Sequence, residues 1–175
     1  MFDPVQARNR RALRGSGGAA PTVHATRMEA TIGDVFQLIY SSQPFGYDEA
    51  VLNGILMDAR RCNTRDDITG ALVCRHDIFL QLLEGPKDSV HATYERIKRD
   101  DRHVDVKLRF FGDVPTRMFG NWAMLHDPAH SWLWSSAEIA DDALDRASVS
   151  DFRHVFQILA TQANSANDAG RPTGA

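Results

Sequence analysis

Between Asp34 and Asp127 the apolar positions change rhythm repeatedly, and each change marks an element. In DVFQLIYSS the side chains alternate, with Phe36, Leu38 and Tyr40 on one face and Val35, Gln37 and Ile39 on the other, which predicts a strand covered on both sides. YDEAVLNGILMDARRC switches to a four-residue recurrence of Tyr47, Val51, Ile55 and Ala59, with Leu52 and Leu56 beside them, and predicts an amphipathic helix ending near Cys62. NTRDD reads as a polar connector. ITGALVCRHDIFLQLLEGP reads as two strands paired through a turn at Arg75, His76 and Asp77 and stopped by Gly85 and Pro86. In KDSVHATYERIKRDDRH, Val90, Tyr94 and Ile97 form one stripe of a second helix, capped by Asp88 or Ser89. VDVKLRFFGDVP alternates again through Val104, Val106, Leu108 and Phe110, and NWAMLHD predicts a short last strand carrying Trp122 and Met124 on the same side.

The order βαββαββ predicts an α+β, ferredoxin-like fold in which right-handed crossovers lay both helices on one face of a single sheet. The other face needs a cover. Phe152, Val155, Phe156 and Leu159 recur at helical spacing, after a shorter helical stretch around Ala137 to Ala147, so C-terminal helices are expected to cap it. The organisation that follows is a flexible N-terminal extension over 1–30, with a short helix near Val5 to Leu13, a folded domain over 31–127, cap helices over 128–165 and a disordered tail over 166–175.

Composition narrows the function. A chain of 175 residues with 43% hydrophobic residues holds one core, and a net charge of -3 supplies no basic field for direct nucleic-acid binding. No apolar run is long enough to span a bilayer, and the arginine-containing N-terminus lacks the apolar stretch of a secretory signal, so the expectation is a cytoplasmic protein without membrane attachment. Cys62 and Cys74, with no CxxC spacing, read as reduced thiols and not as a disulfide or metal site.

Gln81 is the position that needs a reason, because IFLQLLEG places an amide inside an apolar strand, where an unpartnered polar group costs about 1–3 kcal/mol. If the first and third strands are neighbours, Tyr40 and Gln81 share the face beneath the helices, and their mutual hydrogen bond leaves amide capacity unused. A satisfied core pair and a ligand contact are both compatible with that. Asn63, placed just past the first helix, is either an ordinary helix-end residue or a carboxamide aimed at a planar heterocycle between the two helices. Arg102 and His103, after the second helix, are surface residues by default and candidates for polar contacts at its mouth. Core packing accounts for Trp122 and Met124 equally well.

FQLIYSS, RRCNTRDDITGAL, FLQLLEGP, RDDRH and FGNWAM, in that order, resemble the BLUF family, the blue-light sensors that use FAD. The resemblance implies an isoalloxazine ring slotted between the two helices, edge toward the sheet. It implies Tyr40 as electron donor, Gln81 as switching glutamine, Asn63 as flavin-edge asparagine, and Trp122 and Met124 as the responding pair of the last strand. Ile55, Leu72 and Phe79 are implied as apolar walls, and Arg65, Arg102 and His103 as polar contacts to ring or tail. FAD is the expected cofactor, with FMN or riboflavin also accommodated if the phosphate end faces solvent. Ala59 and Cys62 depart from hydroxyl and Asn or His residues of other members, so polar contacts at that helix end are expected to be thinner. No effector enzyme domain is expected after Asp127, which implies signalling through a separate, unidentified protein partner and leaves room for a homo-oligomer formed through the C-terminal helices. Two rivals share the fold: an acylphosphatase-like enzyme, which lacks support because SSQPFGYDE offers no glycine-rich phosphate cradle, and a non-photoactive interaction module.

Overall fold

The structure, a computed structural model, describes residues 35–46, 48–127 and 134–169. The expectations for the N-terminal extension, including its short helix, and for Tyr47 lie outside the described residues. The elements are β1 (Val35–Pro44), α1 (Glu49–Arg65), β2 (Thr69–Arg75), β3 (Ile78–Gly85), α2 (Lys87–Ile97), β4 (His103–Val114), β5 (Leu125–Asp127), α3 (Ser136–Ala140), α4 (Ala143–Arg146) and α5 (Val149–Ala169). The sheet runs β4-β1-β3-β2-β5, antiparallel except that β5 joins β2 in parallel.

Alternation along the central strands sorts their side chains into two cores. Phe36, Leu38 and Tyr40 of β1 and Phe79 and Leu83 of β3 pack with Leu52, Ile55 and Leu56 of α1 and Val90 and Tyr94 of α2. Ile39, Leu80 and Leu82 pack on the opposite face against Phe152, Val155, Phe156 and Leu159 of α5. Every residue of β3 is buried, as expected of a central strand with both faces covered. The expected ferredoxin-like sandwich with a C-terminal cap is the observed fold. No helix among the described residues is long and apolar enough to cross a membrane.

Several local expectations need correction. α1 continues through Asn63 and Thr64 to Arg65, so NTR belongs to the helix; its start is capped by Asp48, whose carboxylate accepts from Val51 N at 2.7 Å. α2 starts without a side-chain cap: Pro86 is its N-cap residue and Asp88 lies in its first turn. The alternation through β4 does not hold to its end. Register shifts against β1 pair Tyr40 with Leu108 but Ile39 with Phe110, leaving Arg109 as a bulge that turns Phe110 to the α5 side and Phe111 to the α2 side. Trp122 and Met124 precede β5 and do not share a side. Met124 enters the core under α1 and α2, while Trp122 packs against Phe119 in the α5 core. The tail expected to be disordered from residue 166 is still helical to Ala169.

Candidate functional site

Tyr40 and Gln81 are directly opposed in the β1–β3 ladder, and both point under the helices. The Tyr40 hydroxyl donates to Gln81 Oε1, and Gln81 Nε2 donates to Met124 Sδ at 3.6 Å. A primary amide has two N–H donors, so one remains beyond this pair. Tyr40 is fully buried, and burial first, then the charge of Asp100 and the neighbouring Tyr94, holds its phenol well above the usual value. The proton therefore stays on Tyr40 at any ordinary pH and is shared only with Gln81.

Gln81 forms the floor of a slot of about 220 Å³ between α1 and α2. Ile55, Ala59 and Ile97 give it apolar walls, Asn63 and Cys62 one end, and Arg102 and His103 the mouth. Asn63 is 1% exposed, in the last turn of α1 and not beyond it; its Nδ2 donates to Ala123 O at 2.8 Å. That bond turns the carboxamide inward and leaves Oδ1 without a hydrogen bond among the described residues. One spare donor on Gln81 and one spare acceptor on Asn63, between apolar walls, match a flat heterocycle whose edge presents an acceptor and an N–H.

The mouth is charged. Arg102 bonds to the carboxylate of Asp100 at 2.6 Å and reaches Asp58 of α1 at 3.4 Å, and Asp100 is held below the usual carboxylate range first by the Arg102 bond. A phosphate-gripping role would need Arg102 and Asn63 free, and both are engaged, so the acylphosphatase-like reading finds no support here. His103 is mostly buried beside Tyr40 and Phe79, with ring centroids at 6.0 and 5.3 Å, and its Nδ1 lies 2.9 Å from Ser42 Oγ.

Burial pushes the His103 imidazole down to about 4, against the opposing pull of Asp100. Above its unfolded value both states are neutral and nothing is lost. As pH falls from about 6.5 toward 4, only the unfolded chain takes up the proton, so stability declines across that window. The expected loss is on the order of 2–3 kcal/mol, at roughly 1.4 kcal/mol for each pH unit. Thermal melts should show it in the native chain and a flatter profile in His103→Asn; equal slopes would remove His103 as the cause.

The positions expected from the sequence divide in three. Gln81, Asn63, Ile55, Arg102 and His103 line the slot, and Tyr40 stands behind Gln81, bonded to it but outside the lining. Leu72 and Phe79 belong to the same core but lie behind the lining, not in it. The structure does not bring Arg65 to the slot: its side chain is 68% exposed and tied to Asp66 at 2.7 Å, outside the lining. Asp58, Arg61, Thr93, Arg96, Ile97 and Asp100 line the slot and had not been identified. Helical spacing offered a signal for part of the set, since Ile55, Ala59 and Cys62 imply a face that also carries Asp58.

Comparisons with known proteins agree with this geometry. The family model described as "Sensors of blue-light using FAD" matches residues 35–125, just over half the chain. "Photoactivated adenylate cyclase subunit beta" of Euglena gracilis is 33% identical over 107 residues, 61% of this chain but 12% of that protein. "Blue light- and temperature-regulated antirepressor BluF" of Escherichia coli strain K12 is 38% identical over 66 residues, 38% of this chain and 16% of the relative. This chain thus spans a small part of these curated relatives. Among solved structures, "BlrB - a BLUF protein, dark state structure" has a TM-score of 0.61 at 25% identity, covering 75% of this chain and 98% of that one. A bacterial light-regulated adenylyl cyclase has a TM-score of 0.53 at 29% identity, over 64% of this chain and 33% of that one.

Proposed function

The chain belongs to the BLUF family, flavin-binding sensors of blue light that use FAD, and on that premise we propose that Tyr40 and Gln81 are its photoactive pair and Asn63 its flavin-edge residue. The observation that carries this reading is the Gln81 amide, held at Oε1 by Tyr40 and at Nε2 by Met124 on the floor of the slot between α1 and α2. When bound, the flavin supplies light absorption and, once excited, the oxidising strength to draw an electron from a phenol. Tyr40 would be the source of that electron, and its proton has one acceptor among the described residues, Gln81 Oε1. The Gln81 amide then rotates or tautomerises, exchanging the group it shows to the slot, and Tyr40 recovers both particles with no net chemistry. Ile55, Ala59 and Ile97 exclude water from the exchange. Arg102, engaged by Asp100 and Asp58, and His103, engaged by Ser42, border the mouth where the polar end of the cofactor would leave the slot without gripping it, so FMN or riboflavin could stand in for FAD.

The domain is a sensor and not an enzyme. Its output passes to a separate protein partner through Met124, which accepts from Gln81 and leads directly into β5. The relatives named above carry cyclase or antirepressor activities in proteins far longer than the matched region, and we carry neither to this chain. Cys62 and Cys74, which form no disulfide, fit a reducing compartment, and we place the protein in the cytoplasm. The deciding experiment is direct. Purified chain supplied with FAD should be yellow, and blue light should shift its absorption to the red reversibly in the dark. A colourless protein that binds no isoalloxazine would end the proposal.

A further inference from the structure

The connection between β4 and β5 supplies a partner to each amide of the site: Ala123 O to Asn63 and Met124 Sδ to Gln81. What fixes this connection lies on the other face of the sheet. Glu84, three residues after Gln81 on β3, is fully buried and outside the slot lining. Its Oε2 accepts from Met118 N at 2.8 Å, and its Oε1 accepts from Phe119 N at 2.5 Å and from Thr69 Oγ1 at 3.1 Å. Gln37 Nε2 approaches Oε2 at 3.4 Å. Beyond this grip the segment is spaced by backbone bonds, Trp122 N to Phe119 O at 2.9 Å and Gly70 N to Trp122 O at 3.0 Å.

A carboxylate that receives two successive backbone amides and a hydroxyl is bound by charge-assisted hydrogen bonds, and removing any of them would leave a buried charge underpartnered. Residues 118 and 119 are therefore the stiff end of the segment. Met124, six residues on from Met118, meets Gln81 through a long contact to sulfur, so its side chain is tied weakly, while the backbone there is held by Asn63 to Ala123 O at 2.8 Å and Arg60 Nε to Met124 O at 3.3 Å. The two ends also belong to different cores, Phe119 and Trp122 under α5 and Met124 under α1 and α2.

We propose that Glu84 is a positioning residue for the light response: it fixes Met118 and Phe119 as a fulcrum about which the chain through Trp122 and Met124 swings when the Gln81 amide changes partners. This rests on Gln81 being the switching amide. With the fulcrum intact, return of Gln81 has to be concerted with return of the whole segment. Loosening it separates the two movements and leaves only the small barrier of the amide.

Amide hydrogen exchange on the full chain with bound FAD, in darkness and under continuous blue light, tests the fulcrum without a mutation. Met118 and Phe119 should exchange alike in both conditions, within about twofold, while residues 122–125 should change by about tenfold. Loss of protection at Met118 and Phe119 in step with residues 122–125, or no change in the latter, would overturn the proposal. Glu84→Gln, which presents an amide NH2 donor where one of two acceptors is required, should keep the red shift and recover in the dark about fivefold faster. Val155→Ala, an equally buried loss in the same core, should recover within about twofold of the native chain. Unchanged recovery in Glu84→Gln, or an equal acceleration in Val155→Ala, would reduce Glu84 to a structural residue. A native chain that binds flavin and shows no red shift points instead to failure of the Gln81 assignment.

Discussion

Gln81→Leu should yield a yellow protein whose absorption no longer moves under blue light, and Tyr40→Phe should do the same. Leu fills the space of the amide but has neither the acceptor for Tyr40 nor the donors for Met124 and the slot. Phe keeps the ring that packs against Tyr94 at 5.7 Å and removes the one hydroxyl that can give a proton to Gln81. Both changes are close to isosteric in a well-packed core, so folding and flavin uptake should survive with a stability cost of about 1–2 kcal/mol. The expected difference spectrum is flat, a complete loss and not a reduction. It is checked by illuminating each variant beside the native chain at matched flavin content. A reversible shift of native size in both variants would remove the pair from the mechanism.

Gly70→Ala should have the second large effect, on the fold itself. Gly70 sits in β2 opposite Leu83, and a Cβ there would stand 2.1 Å from Leu82 O and 3.1 Å from Leu82 C. Those are backbone atoms of the neighbouring strand and cannot rotate away. β2 would have to separate from β3, disturbing the bond from Gly70 N to Trp122 O that positions the connection into β5. The cost should exceed about 4 kcal/mol, a large part of the total stability of a domain of this size. Gly54→Ala makes the internal contrast. There the added methyl meets only Arg102 Nη1, at 3.6 Å, and a helical glycine becomes alanine, which should stabilise by about 0.5–1 kcal/mol. Denaturant melts of the two variants should move in opposite directions; a native-like midpoint for Gly70→Ala would show that β2 can yield at little cost.

The fold was legible in the sequence wherever one periodicity governs a whole element. β1 and β3 are central strands with both faces buried, so alternation, together with the fold's placing of these strands as neighbours, puts Tyr40 and Gln81 on one face, and the ladder pairs them directly. The errors fall where a local rule is overridden by something distant. The bulge at Arg109 has no mark in the sequence, because the reason for it is tertiary: Arg109 bonds Ser41 Oγ at 2.8 Å and Leu144 O at 3.0 Å and pairs with Asp145 at 2.7 Å. Trp122 and Met124 were given one side on the premise of a strand, but the chain there is held by Glu84 and Gly70 and enters the ladder only at Leu125. Asn63 reads as part of a polar connector beyond α1, yet the helix runs through it to Arg65 with its amide buried against Ala123. Arg65, a polar contact that only the resemblance implies, stands at the helix end facing Asp66 and solvent. The acidic side of the mouth, Asp58 and Asp100, was missed because ion pairs between separate elements carry no sequence period.

β5 adheres to the sheet through three residue pairs, Ala71 with Leu125 through Val73 with Asp127. A seam that short is unzipped for the cost of a few hydrogen bonds and not for the cost of unfolding the domain. Fraying at this margin is thermally cheap, and the central strands keep their register while it happens. A detector assembled in this way spends little of its absorbed energy on mechanics, because the piece that has to move is the one least committed to staying put.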